Sequence, residues 1–160
     1  MAEARPTGQP PQTDEVITVE FTDLDYGNAY ADGDQFSHLV KIPNAALGWP
    51  KGIATLMSVV LIDLDSQGQG VEAFFFDREV EVPATLNAAM AIGDEAGQHC
   101  VGHVVLDTLE DGGAWDVLTA YGIGLVMKPA NGSDLYVLLK AGGAITAAKA
   151  WIGRFGFIRS

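Results

Sequence analysis

Residues Ile53 to Leu64 read Ile-Ala-Thr-Leu-Met-Ser-Val-Val-Leu-Ile-Asp-Leu, and they are apolar on both faces that a strand presents. Ile53, Met57, Val59 and Leu61 fall on one side; Leu56, Val60, Ile62 and Leu64 fall on the other. The run is broken by Ser58 and Asp63 and is shorter than the ~18 apolar residues of a spanning helix. Its β-branched content favours an extended chain. A strand that is apolar twice over belongs in the middle of a sheet and needs a cover on each side. Another subunit can supply the second cover.

Several other segments alternate with a period of two, as half-buried strands do. Val16–Thr22 places Ile17, Val19 and Phe21 on one face. Phe36–Ile42 places Phe36, His38, Val40 and Ile42 together, and Pro43 ends it. Val71–Asp77 puts Phe74, Phe75 and Phe76 on both faces. Cys100–Asp107, Val117–Met127, Leu135–Lys140 and Trp151–Ile158 complete the set. Glu79–Gln98 fits either a short helix around Leu86 and Met90 or a strand. Turn chemistry lies between the strands: Gly112-Gly113 within Glu110–Ala114, Asn131-Gly132 read as a hairpin, and Gly142-Gly143. About eight strands at fairly regular spacing, with no 3.6-residue period, predict an all-β chain. The expected architecture is an antiparallel two-sheet sandwich, jelly-roll-like, or a flattened barrel. Residues 1–15, with Pro6, Pro10 and Pro11 and no large aliphatic after Met1, read as a flexible N-terminal arm. The sandwich domain is expected over residues 16–160.

Composition narrows the function. The formal charge is −12, so direct binding to nucleic acid or to an anionic membrane is disfavoured. A single cysteine, Cys100, rules out an intrachain disulfide and a zinc finger. No secretory signal pattern opens the chain. Hydrophobic residues make up 48% and charged residues only 19%, which leaves a weakly charged surface for a solitary soluble domain. Charge is also uneven. Residues 1–80 hold four basic and thirteen acidic residues, whereas the stretch from Met127 onward holds five basic and one acidic. Arg154 and Arg159 in that basic end are candidates for pairing with an acidic neighbour.

The chemistry-bearing patterns are weak. Asp63-Leu-Asp65-Ser-Gln67-Gly68 opens like a calcium loop, but its twelfth position is Phe74 instead of glutamate. It reads as an acidic turn. Asp23, Asp25, Asp32 and Asp34 fit either turn chemistry or a cation site. His99 and His103 share a strand face but stand ~13 Å apart along it, with Cys100 pointing away. Gly122-Ile123-Gly124 lacks the third glycine of a dinucleotide fingerprint and reads as a close backbone approach. No nucleophile elbow, phosphate loop or singled-out carboxylate pair is present, so no catalytic residue and no cofactor is assigned. Trp49, in a loop beside Pro50, is a candidate contact anchor. Phe74, Phe75, Phe76, Trp151, Phe155 and Phe157 read as core more than as a ligand platform, with Phe74 and Phe76 also candidate interface residues.

Three stretches resemble small virion structural proteins of tailed bacteriophages: Asp25-Tyr-Gly-Asn-Ala-Tyr-Ala-Asp-Gly-Asp34, Leu61-Ile-Asp-Leu-Asp-Ser-Gln-Gly68 and Glu72-Ala-Phe-Phe-Phe-Asp77. Gly124-Leu-Val126, Ser133-Asp-Leu-Tyr-Val137 and Trp151-Ile-Gly-Arg-Phe-Gly-Phe157 extend the resemblance over residues 17–158. The resemblance implies a non-enzymatic capsid decoration or cement protein, made in the host cytoplasm and carried on the capsid surface. Its implied partners are the major capsid protein and copies of itself, as a homo-oligomer. Two other readings stay open. One is a tail- or fibre-associated carbohydrate-binding sandwich using Trp49 and the acidic loop. The other is a two-carboxylate hydrolase.

Overall fold

Alternation in the sequence becomes alternation in burial. In β1 (Thr13–Phe21) Ile17, Val19 and Phe21 are buried and their neighbours exposed. The computed structural model describes residues 13–47 and 52–160. The remaining strands are β2 (Val40–Ile42), β3 (Ala54–Asp63), β4 (Val71–Phe76), β5 (Cys100–Leu106), β6 (Thr108–Asp111), β7 (Asp116–Met127), β8 (Leu135–Ala141) and β9 (Trp151–Arg159). One helical turn, α1 (Asp94–Gly97), precedes β5.

The strands form two antiparallel sheets, ordered β1-β9-β3-β7-β6 and β2-β8-β4-β5. With β6 set aside, each sheet alternates strands from the start and the end of the chain. That is the strand order of a jelly roll, in which a long hairpin folds over on itself. The all-β sandwich expected from the sequence is therefore the fold, with nine strands where about eight were expected.

The core lies between the sheets. Trp151, Phe155 and Phe157 of β9 are buried, as their shared face predicts. Phe36 sits edge-on between Tyr30 (4.9 Å between ring centres) and Trp151 (4.8 Å), and Phe75 meets Phe155 at 5.8 Å. Such edge-to-face pairs are worth about 0.5–1.5 kcal/mol beyond the area they bury.

Five local expectations change. Phe36–Ile42 is not one strand: only Val40–Ile42 pairs. Ser37 takes the Leu139 N–H on its Oγ (2.9 Å), so a side chain replaces a ladder bond there. Glu110–Ala114 is not simply a turn, because Thr108–Asp111 forms β6 on the edge of the larger sheet. Asn131-Gly132 does turn, with Gly132 at φ 65, but it does not close a hairpin. β7 and β8 belong to different sheets, and the turn carries the chain between them. Gly122 and Gly124 are not sites of close approach. Both have positive φ (65 and 68), and a Cβ on either would meet nothing within 4 Å. They lie in a bulge where Leu56 pairs with Leu125 and Ser58 with Tyr121, so three β7 residues face Met57 alone. Lastly, 79–98 has no helix at Leu86 or Met90. Besides α1 it holds an isolated antiparallel bridge of Ala89 to Asp34, with the Met90 N–H on the Gly33 carbonyl and the Asn87 N–H on the Gln35 carbonyl, so of the two readings the strand-like one is met locally.

Candidate interaction surface

The bulge at Met57 resets the two faces of β3. Ala54, Leu56, Val59, Leu61 and Asp63 point inward and are buried, while Thr55, Ser58, Val60 and Ile62 point outward and are half-buried. No described segment forms a second layer of strands over that outer side.

Register places the outer residues of the larger sheet in rows. Glu20, Ile152, Ile62, Val117 and Glu110 make one row; Thr18, Arg154, Val60, Thr119 and Thr108 make the next. Val16, Gly156, Ser58 and Tyr121 follow, then Asp14, Ile158, Thr55 and Val126. Val16, Tyr121 and Val126 are 64%, 71% and 63% exposed. Acids occupy the margin, and Arg154 is the one charged side chain in the interior of this grid. Arg154, Asp14, Glu20 and Glu110 make no ion pair with any described residue. The doubly apolar run Ile53–Leu64 signalled this face. Val16, Tyr121, Val126 and Ile158 were missed, because their juxtaposition depends on pairing between strands far apart in sequence.

The smaller sheet presents a different outer side. Phe74 is half-buried against His103, with ring centres 4.5 Å apart, and Lys140 Nζ lies 5.6 Å from its ring centre. Lys140 also donates to Glu72 (2.6 Å), which His103 approaches at 3.2 Å. The Lys140 hydrogen bond holds the Glu72 carboxyl below its ordinary value, against the opposing pull of burial. Phe76 shares the face of Phe74 by alternation, but it is 1% exposed.

The other candidate residues do not converge. Arg159 ties β1 to the loop after β2: it pairs with Glu15 (2.9 Å) and donates to the Asn44 carbonyl (3.0 Å). Trp49 lies outside the described residues. Asp25 accepts from the Asn28 and Asn87 amides, and Asp34 accepts the Ala31 N–H. Asp23 and Asp32 are exposed. Among the described residues, no three or more His, Cys, Asp or Glu side chains are placed to hold a metal ion. His99 pairs with Asp77 (3.2 Å) instead of with His103.

The Asp63–Gly68 segment is a tied turn. Asp63 accepts the N–H groups of Asp65 (2.8 Å) and Gln67 (2.7 Å). Asp116 accepts the Gly68 N–H (2.8 Å) and the Ser66 hydroxyl (3.0 Å). Asp65 accepts the N–H groups of Ala148 and Lys149. The carboxylates that resembled the start of a calcium loop are thus spent on backbone and hydroxyl donors, as the turn reading requires.

No protein-family model matches the chain, and no curated protein matches it. Among solved structures it is similar to a chain of the cyanophage Pam1 capsid asymmetric unit, at 14% identity and a TM-score of 0.34, over 99% of this chain and 95% of that one. It is also similar to a chain of Desmodium yellow mottle tymovirus, at 13% identity and a TM-score of 0.32, over 99% of this chain and 93% of that one. Likeness at that level carries no argument about function.

Proposed function

We propose that this chain is a virion structural protein, a capsid decoration or cement subunit that binds the outer shell of a tailed phage and stabilises the head through subunit contacts. The observation that carries the reading is the pair of outward sheet faces on a jelly-roll frame. Jelly rolls serve viral capsid, lectin and cupin domains, so the frame alone is an analogy. The faces add the physical argument. One mixes aliphatic and hydroxyl side chains inside an acidic margin, and the other sets Phe74 among Lys140, His103 and Glu72. Such faces are interaction surfaces when they are this contiguous.

The mode of action is mechanical. Each subunit contributes modest contacts, and many copies on one shell add by multivalency. The charge of −12 directs the bare surface away from packaged nucleic acid and keeps particles apart. In this reading the partners are the major capsid protein and further copies of the chain. Phe74 and Arg154 are contact residues on opposite sides of the sandwich.

Peptide mass spectrometry of purified particles, from the virus whose genome carries this chain, tests the reading. The expected result is this chain in high copy relative to tail proteins. Its absence from intact particles would sink the proposal.

A further inference from the structure

The outer face of the β1-β9-β3-β7-β6 sheet has the size, composition and relief of a self-association surface. We propose that two copies of this chain pair face to face through it. The inference stands on the geometry of the face and does not depend on where the protein resides.

Size comes first. Four strands of about 30 Å and the four-residue β6, at about 4.8 Å spacing, give ~640 Å² of face per copy. A pair would then bury ~1,300 Å², at the lower end of the ~1,200–2,000 Å² of specific interfaces. Composition comes next. Val16, Val60, Ile62, Val117, Tyr121, Val126, Ile152 and Ile158 alternate in the grid with Thr18, Thr55, Ser58, Thr108 and Thr119, and Arg154 is its one interior charge. Sparse charge at the centre with an acidic rim is the anatomy of a protein–protein interface.

Relief decides the occupant. Tyr121 stands out from β7 with 71% of its surface exposed. On the other side of the same face, an open groove of about 360 Å³ is lined by Val16, Met57, Gly156, Phe157 and Ile158, with Asp14 and Glu15 also in its wall. The bulged Met57 forms one part of its wall. Gly156 keeps it open: a side chain there would run into Ser58 Oγ. One copy therefore carries on one face both a protruding aromatic and a largely apolar recess flanked by Asp14 and Glu15. A two-fold axis places each Tyr121 in the partner's groove, the self-complementarity that an isologous interface requires. Sheets stacked this way keep ~10 Å between layers. Pairing two acidic chains opposes association, so added salt strengthens the dimer.

Sedimentation velocity of the full chain across a dilution series, at low and high salt, tests this. The expected result is a monomer–dimer equilibrium that tightens with salt. Tyr121→Ala and Val60→Lys, each checked for an unchanged circular dichroism spectrum, should weaken it at least about tenfold. Val105→Lys on β5 of the opposite sheet, at a position 51% exposed, should leave it unchanged. A chain that stays monomeric at every concentration overturns the proposal. So does a dimer that Tyr121→Ala and Val60→Lys leave intact. A monomer that binds purified shells through Val60 also overturns it and assigns the face to the shell.

Discussion

Asp63 and Asp116 face each other across the β3–β7 ladder, each 1% exposed, and between them they accept four hydrogen bonds from the turn that follows β3. Two carboxylates side by side in the interior are costly unless donors surround them. Here three backbone N–H groups and a hydroxyl do so. The balance still falls against charge on Asp63: burial is the largest influence and pushes its carboxyl above the ordinary value, and the nearby Asp65 and Asp116 add to it.

That direction fixes a pH dependence. A carboxyl raised on folding destabilises the fold while ionised, and the penalty is relieved as pH falls through the folded-state value. The stability of the native chain relative to Asp63→Asn should therefore rise as pH falls from neutral into the range where Asp63 protonates. Asp63→Asn itself should cost about 1–3 kcal/mol at neutral pH, since an amide cannot accept both turn N–H bonds equally. Thermal melts of both proteins over a pH series measure the difference.

Glu72 should behave in the opposite sense. Its carboxyl is lowered on folding by Lys140, with His103 adding to the effect. Its stabilising contribution is present above the unfolded-state value and is lost as pH falls through the folded one. The side chain is 27% exposed, so screening keeps the gain to about 1 kcal/mol or less. Lys140→Met should move the Glu72 titration, followed by carboxyl NMR, back toward the ordinary glutamate value.

Asp65 fastens two distant loops. Its Oδ2 accepts the N–H groups of Ala148 (2.7 Å) and Lys149 (2.8 Å). Asp65→Ala should leave the sandwich folded, cost about 1–2 kcal/mol and speed hydrogen exchange at the Ala148 and Lys149 amides. Amides in the middle of β3 should exchange at rates changed only by the global loss.

The bulge in β7 depends on backbone conformation more than on space. Gly122→Ala and Gly124→Ala meet open surroundings but require an L-residue at φ near 65 and 68. Each should cost about 1–2 kcal/mol, read from denaturant midpoints. Because the same bulge sets which β7 side chains reach the outer face, both variants should also weaken self-association.

The strands were legible where alternation is strong. Ile17, Val19 and Phe21 in β1, and Trp151, Phe155 and Phe157 in β9, read directly as buried faces. Met57 hides a break in that logic. A bulge inserts one residue without changing composition, so Leu56 joins Val59 and Leu61 inside although the count of two puts it outside. Asn131-Gly132 announces a positive φ but not which sheet the chain enters next. Arg159, read as a partner contact from charge alone, is engaged with Glu15 and Asn44 in its own chain. The candidate face was half visible. Val60 and Ile62 declared an uncovered side of β3, while Tyr121 and the groove at Gly156 emerged only from register among β1, β9, β3 and β7.

The virion role is tested most directly by an electron cryomicroscopy map of the particle that carries this chain. The account predicts nine-stranded sandwiches in regular array on the outer surface of the shell, with density for one of the two sheet faces against the capsid. A shell without such density, or sandwiches confined to the tail, would contradict it.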